Sequence, residues 1–102
     1  MRYKEREISR ELYKSYTDYL QGNGVDLTKA IEMMKVNQTA QKSDRRLGRL
    51  QIPRDLTDNP LTFVHTAMSK LLESGEGFTI KIVADPMFIV LDIYPEGLDW
   101  FI

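Results

Sequence analysis

"FTIKIVADPMFIVLDIY" spans Phe78–Tyr94 and changes the rhythm of the chain. Before it, apolar residues recur every three to four positions. From Phe78 onward they alternate with other residues, the period of a β-strand rather than a helix. Setting Val83 opposite Phe88 places Phe78, Ile80, Ile82 and Ala84 across from Ile93, Leu91, Ile89 and Met87, so one sheet face is wholly apolar. The opposite face then carries Thr79, Lys81, Val83, Phe88, Val90, Asp92 and Tyr94. Proline cannot take the positive φ of a two-residue hairpin turn, so a four-residue loop around Asp85–Pro86 is expected. The stretch predicts an antiparallel hairpin of 78–84 with 87–94. After the "PEG" turn, "LDWFI" at 98–102 supplies a short third strand of a meander, too apolar to stay in water as a frayed tail.

Helices precede the hairpin. Residues 4–20 carry Ile8, Leu12, Tyr16 and Leu20 at four-residue intervals, with Tyr13 and Tyr19 beside the stripe. The tyrosines are expected to bury their rings and leave their hydroxyls wet. "QGNG" at 21–24 ends this helix. Asp26 or Thr28 caps a second helix, in which Leu27, Ala30, Ile31 and Met34 keep the i, i+3, i+4, i+7 pattern. A third helix spans 60–74, with Asn59 as N-cap, Pro60 at its first position and Gly75 beyond its end. Its expected apolar face is Leu61, Val64, Ala67, Met68, Leu71 and Leu72. The fold class is therefore α+β: an N-terminal helical pair, a third helix and a C-terminal antiparallel hairpin or short three-stranded meander.

With 102 residues, one domain with one core is expected. No apolar window is long enough to cross a bilayer, and the charged N-terminus lacks a signal peptide's apolar run, so a cytoplasmic protein with no membrane partner is expected. The absence of cysteine excludes disulfides, thiolate metal sites and cysteine nucleophiles. The net charge of −1 hides a division: residues 1–54 sum to +5 and residues 55–102 to −6. Within 35–54, Lys35, Lys42, Arg45, Arg46, Arg49 and Arg54 face Asp44 alone, a strip that would attract a polyanion or an acidic protein surface.

"AIEMMKVNQTAQKSDRRLGRL", Ala30–Leu50, has two readings. Its first part, "AIEMMKVNQTA", resembles the beginning of the helix-turn-helix motif of bacterial repressors. That resemblance implies a turn at Val36–Asn37–Gln38 and a recognition helix over 39–50. Asn37, Gln38, Gln41 and Lys42 would then meet base edges and phosphates, and Arg45, Arg46 and Arg49 would track the backbone. The other reading is a shorter second helix followed by a mobile basic segment or short helix from Ser43 to Leu50, then an extended connection over 51–58. It has its own support: Gln41 stands where the motif carries an aliphatic residue, and Gly48 costs about 1 kcal/mol inside a helix. A basic segment binds phosphate by charge without any motif.

Catalytic chemistry is sparse. His65 is the only histidine, off the main apolar face near Phe63 and Thr66. Asp85 and Glu96 suit turns, and Asp92 lies diagonally from Lys81 as a surface pair. No phosphate-cradling glycine loop occurs. The reading is a non-enzymatic binding protein with no cofactor and no metal. One candidate surface is nucleic-acid-binding, DNA before RNA: Lys35, Asn37, Gln38, Gln41, Lys42, Arg45, Arg46, Arg49 and Arg54. The alternative is a protein-binding inhibitor or adaptor acting on a larger protein or nucleoprotein machine. It would use the acidic C-terminal half or an outer-face interface of Val83, Phe88, Val90 and Tyr94, unless the N-terminal helix covers that face. Size alone would also suit an accessory protein of a mobile element. None of Arg45, Arg46 and Arg49 is expected on a core face, so reversing their charge should spare the fold.

Overall fold

A computed structural model describes residues 5–40, 46–56 and 58–95. The architecture is α+β. Helices α1 (Glu5–Leu20) and α2 (Thr28–Ala40) lead to strand β1 (Gly48–Pro53), and α3 (Pro60–Glu73) precedes the hairpin of β2 (Phe78–Ala84) and β3 (Phe88–Pro95). The antiparallel sheet has the order β1-β3-β2. Among the described residues the third strand therefore comes from before α3, and these three strands do not form a meander. Residues 98–102, expected to supply that strand, lie outside the described residues.

The expected face assignment holds, but the hairpin register is two residues away. Val83 pairs with Val90, Ile80 with Ile93 and Ile82 with Leu91. The turn sets this offset. The Asp85 N–H donates to the Phe88 carbonyl at 3.0 Å, and the Asp85 carboxylate accepts from the Met87 N–H at 2.9 Å. Pro86 thus sits at the first central position, where its fixed φ belongs. A two-residue shift leaves every side chain on its original face.

The helix-turn-helix reading fails in two places. α2 continues without a break through Val36, Asn37 and Gln38, and Gly48–Leu50 are strand. The segment expected to be helical or mobile up to Leu50 instead alternates. Gly48, Leu50 and Ile52 are buried, while Arg49, Gln51 and Pro53 point the other way. Gly48 is a glycine for packing reasons: a Cβ there would lie 2.7 Å from Ile8 Cγ2 and 3.2 Å from Leu12 Cδ1. α1 crosses the strand at that close approach.

The core forms between the three helices and the apolar sheet face. Ile8, Leu12 and Tyr16 from α1, Ala30 and Met34 from α2, and Val64, Ala67 and Leu71 from α3 pack with Leu50, Ile52, Leu91 and Ile93. Phe63, expected off the main face of α3, is fully buried, and the rings of Tyr16 and Tyr19 lie 5.3 and 5.9 Å from it. Leu61, Met68 and Leu72, expected to be core, are exposed. The aromatic cluster rotates α3 so that 63, 64, 67 and 71 face inward, leaving 61, 68 and 72 on a flank.

Helix ends follow local chemistry. Gly22, Gly24 and Gly75 take positive φ after α1 and α3. Asp26 accepts the Thr28 N–H at 3.0 Å at the start of α2, and this bond holds its carboxyl below the usual range. The Asn59 side chain makes no cap bond; its carbonyl instead accepts the Tyr19 hydroxyl at 3.2 Å. No helix among the described residues is long and apolar enough to cross a membrane.

Candidate functional site

All three helices pack on the apolar sheet face, so the other face is not covered by α1 as one expectation had it. Gly48, Leu50 and Ile52 pair with Ile93, Leu91 and Ile89 on the helix side. On the outer side, Arg49, Asp92 and Lys81 form one cross-strand row, and Gln51, Val90 and Val83 form the next. Phe88 and Tyr94 extend that face along β3. Asp92 is directly opposite Lys81, not diagonal to it.

Asp92 is the electrostatic centre of the outer face, and it is only 3% exposed. Arg49 grips it with two bonds, Nε to Oδ1 at 2.7 Å and Nη2 to Oδ2 at 3.0 Å. Arg46 adds a contact at 3.6 Å and donates twice to Glu5 of α1, at 3.0 and 2.6 Å. The Asp92 carboxylate raises the pKa of Arg49 above its ordinary value through this bidentate bond. A planar guanidinium fork matched to a carboxylate is the strongest pairing the side chains offer. It fixes β1 to β3 and α1 to both.

The basic strip is thus mostly engaged inside the fold. Arg54 Nε donates to the Asp85 carbonyl at 2.8 Å and closes the end of the sheet. Lys35 reaches the Ser74 carbonyl at 3.4 Å and Glu76 at 4.0 Å. Asn37 is buried, and Gln38 donates to the Gly77 carbonyl at 3.4 Å, on the α3–β2 connection. Gln41, Lys42 and Arg45 lie outside the described residues. The six described members do not converge on one surface. Arg46 and Arg49 also hold a buried carboxylate, so they do not stand apart from the packing as expected.

The four outer-face residues do share one surface. Val83 is 38% exposed, Phe88 and Tyr94 are half-buried, and Val90 is buried. They border the Arg49–Asp92–Lys81 row, so the face offers apolar surface beside anchored charge.

A second surface escaped the residue-type reading. Arg6, Ser9, Arg10 and Tyr13 of α1 line an open groove of about 600 Å³ with Arg49 and Gln51 of β1. Arg6, Arg10 and Tyr13 fall at i, i+4 and i+7, and this spacing was available in the sequence. His65 is exposed on α3. Among the described residues no group of three His, Asp or Glu side chains could hold a metal ion. Compared with family models, curated proteins and solved structures, the chain finds no match.

Proposed function

We propose that this chain is a small non-enzymatic binding protein, an inhibitor or adaptor that engages a larger protein or nucleoprotein machine through the outer face of its sheet. One observation carries the reading. The three described helices pack on the same side of the sheet, and the other side keeps Val83 exposed and Phe88 and Tyr94 partly exposed around an immobilised ion pair. Interface cores favour aromatic side chains fixed by a rigid scaffold, with charges already oriented at the rim. The sheet supplies that rigidity, and the Arg49–Asp92 fork restricts the charged row.

The nucleic-acid reading of 35–54 ranks second, because Arg46, Arg49 and Arg54 already spend hydrogen-bond donors on the protein itself. Capture of partners by the purified chain from a lysate of its own cells, with and without nuclease, separates the two. Protein partners that persist after nuclease treatment support the proposal. Partners that all disappear with the nucleic acid return the basic segment to first place.

A further inference from the structure

We propose that the groove between α1 and the β1 edge of the sheet binds single-stranded nucleic acid. The surface of α1 separates into two stripes. Glu7, Glu11, Lys14 and Asp18 follow one another at i, i+4, i+7 and i+11. This stripe is largely neutralised, with Lys14 on Asp18 at 3.4 Å and Lys29 of α2 on Glu11 at 3.8 Å. Arg6, Arg10 and Tyr13 form the neighbouring stripe, and all three are exposed. Neither Arg6 nor Arg10 forms an ion pair among the described residues, in contrast to Arg46 and Arg49. A merely solvated helix face would mix its signs; here the uncompensated cations are gathered on the flank that forms a groove wall.

The opposite wall completes the chemistry. Arg49 lines it with its charge already matched by Asp92, so the phosphate contacts fall to Arg6 and Arg10, and Gln51 adds an exposed amide. The one acid among its described lining residues, Glu5, is held by Arg46 at 2.6 Å. Tyr13 is 56% exposed, so its ring offers a flat stacking surface at the end of the arginine pair. Arginines that track phosphates beside an aromatic ring that stacks a base are the two components of sequence-tolerant single-strand binding.

The β1 edge argues against an extended acidic peptide in the same groove. Alternate residues 49, 51 and 53 present their backbone away from β3, since Arg54 donates inward to the Met87 carbonyl. The outward Arg49 N–H is already taken by Ser9 Oγ at 2.8 Å, and Pro53 has no N–H. A peptide strand would find this edge blocked at both ends. A nucleic acid needs only the side chains.

The test is fluorescence anisotropy of the full chain with a labelled oligothymidylate of about a dozen nucleotides, across a salt series. Expected is binding at low salt that weakens with a log–log slope near −0.7 per phosphate neutralised. The double variant Arg6→Ala/Arg10→Ala should lose about tenfold or more in affinity and flatten the slope. Tyr13→Ala should weaken binding about tenfold while Tyr13→Phe keeps it, because the ring stacks and the hydroxyl does not. Phe88→Asp should bind the oligonucleotide normally. Absence of binding at low salt, indifference to Arg6 and Arg10, or equal competition by polyglutamate or by duplex DNA would each overturn the proposal.

Discussion

Arg49 holds both carboxylate oxygens of Asp92, at 2.7 and 3.0 Å, across the junction of β1 and β3. The two residues are 43 positions apart in the chain, and their pairing converts a charged surface row into part of the framework. Removing Arg49 leaves a carboxylate that is 3% exposed with, among the described residues, the longer Arg46 contact alone. Arg49→Ala should therefore cost about 2–3 kcal/mol, and Arg49→Glu more, because it sets a second negative charge beside the first. Arg54→Ala, which removes an exposed bond to a carbonyl, should cost less than about 1 kcal/mol. Urea denaturation of the three variants checks the order. Equal stability of Arg49→Ala and the parent chain would contradict it.

Gly48 carries the contact between α1 and the sheet. Ile8, the β-branched side chain a Cβ would strike, is fully buried. Gly48→Ala should destabilise the chain by about 1–3 kcal/mol as α1 is pushed outward. Thermal unfolding should show a fall of several degrees per kcal/mol, about 4–8 °C for a domain near this size. A substitution that improves strand propensity without lowering the melting temperature would mean that α1 does not sit where described.

Tyr16 buries its hydroxyl with no hydrogen-bond partner among the described residues, contrary to the expected wet hydroxyl. Its ring is well used against Phe63, so only the oxygen is costly. Tyr16→Phe should be neutral or stabilising by up to about 1 kcal/mol. Burial also raises the phenol's pKa, with smaller contributions from Tyr19 and Tyr13. The native state therefore holds this proton more tightly than the unfolded chain. The associated stability is intact below the ordinary tyrosine pKa of about 10 and is lost as pH rises through the folded value. The phenylalanine variant should lose less stability than the parent between neutral pH and pH values above about 10. Identical alkaline profiles would contradict the assignment.

The hairpin, α1, α3 and the start of α2 are legible in sequence because each has a clear period and its own stop or start signal; the end of α2 is not, since no stop signal marks Ala40 and the sequence offered a turn at 36–38 or a shorter helix. The two-residue register offset is not, since the pleat fixes only the parity; the exact pairing depends on Asp85 bonding Met87 around Pro86. β1 is hidden for a different reason. Its outward positions are arginine and glutamine, and read with "KSDRR" they blend into a basic helix. Only pairing with β3 reveals that Gly48, Leu50 and Ile52 belong to the core. The burial of Asp92 and the loss of free charge at Arg46 and Arg49 depend on contacts some forty residues apart in the chain. The Arg6–Arg10–Tyr13 stripe, by contrast, was legible; its significance came from seeing Arg49 across the groove.

The proposed protein interface is tested most directly by comparing two charge insertions on opposite layers. Phe88→Asp alters the open sheet face, and Leu72→Asp alters a side chain on α3 that is already 81% exposed. Each variant, first shown by circular dichroism to be folded, is used for quantitative capture from nuclease-treated lysate beside the parent chain. Phe88→Asp should lose the protein partners retained by the parent, and Leu72→Asp should keep them. Full retention of those partners by folded Phe88→Asp would contradict it.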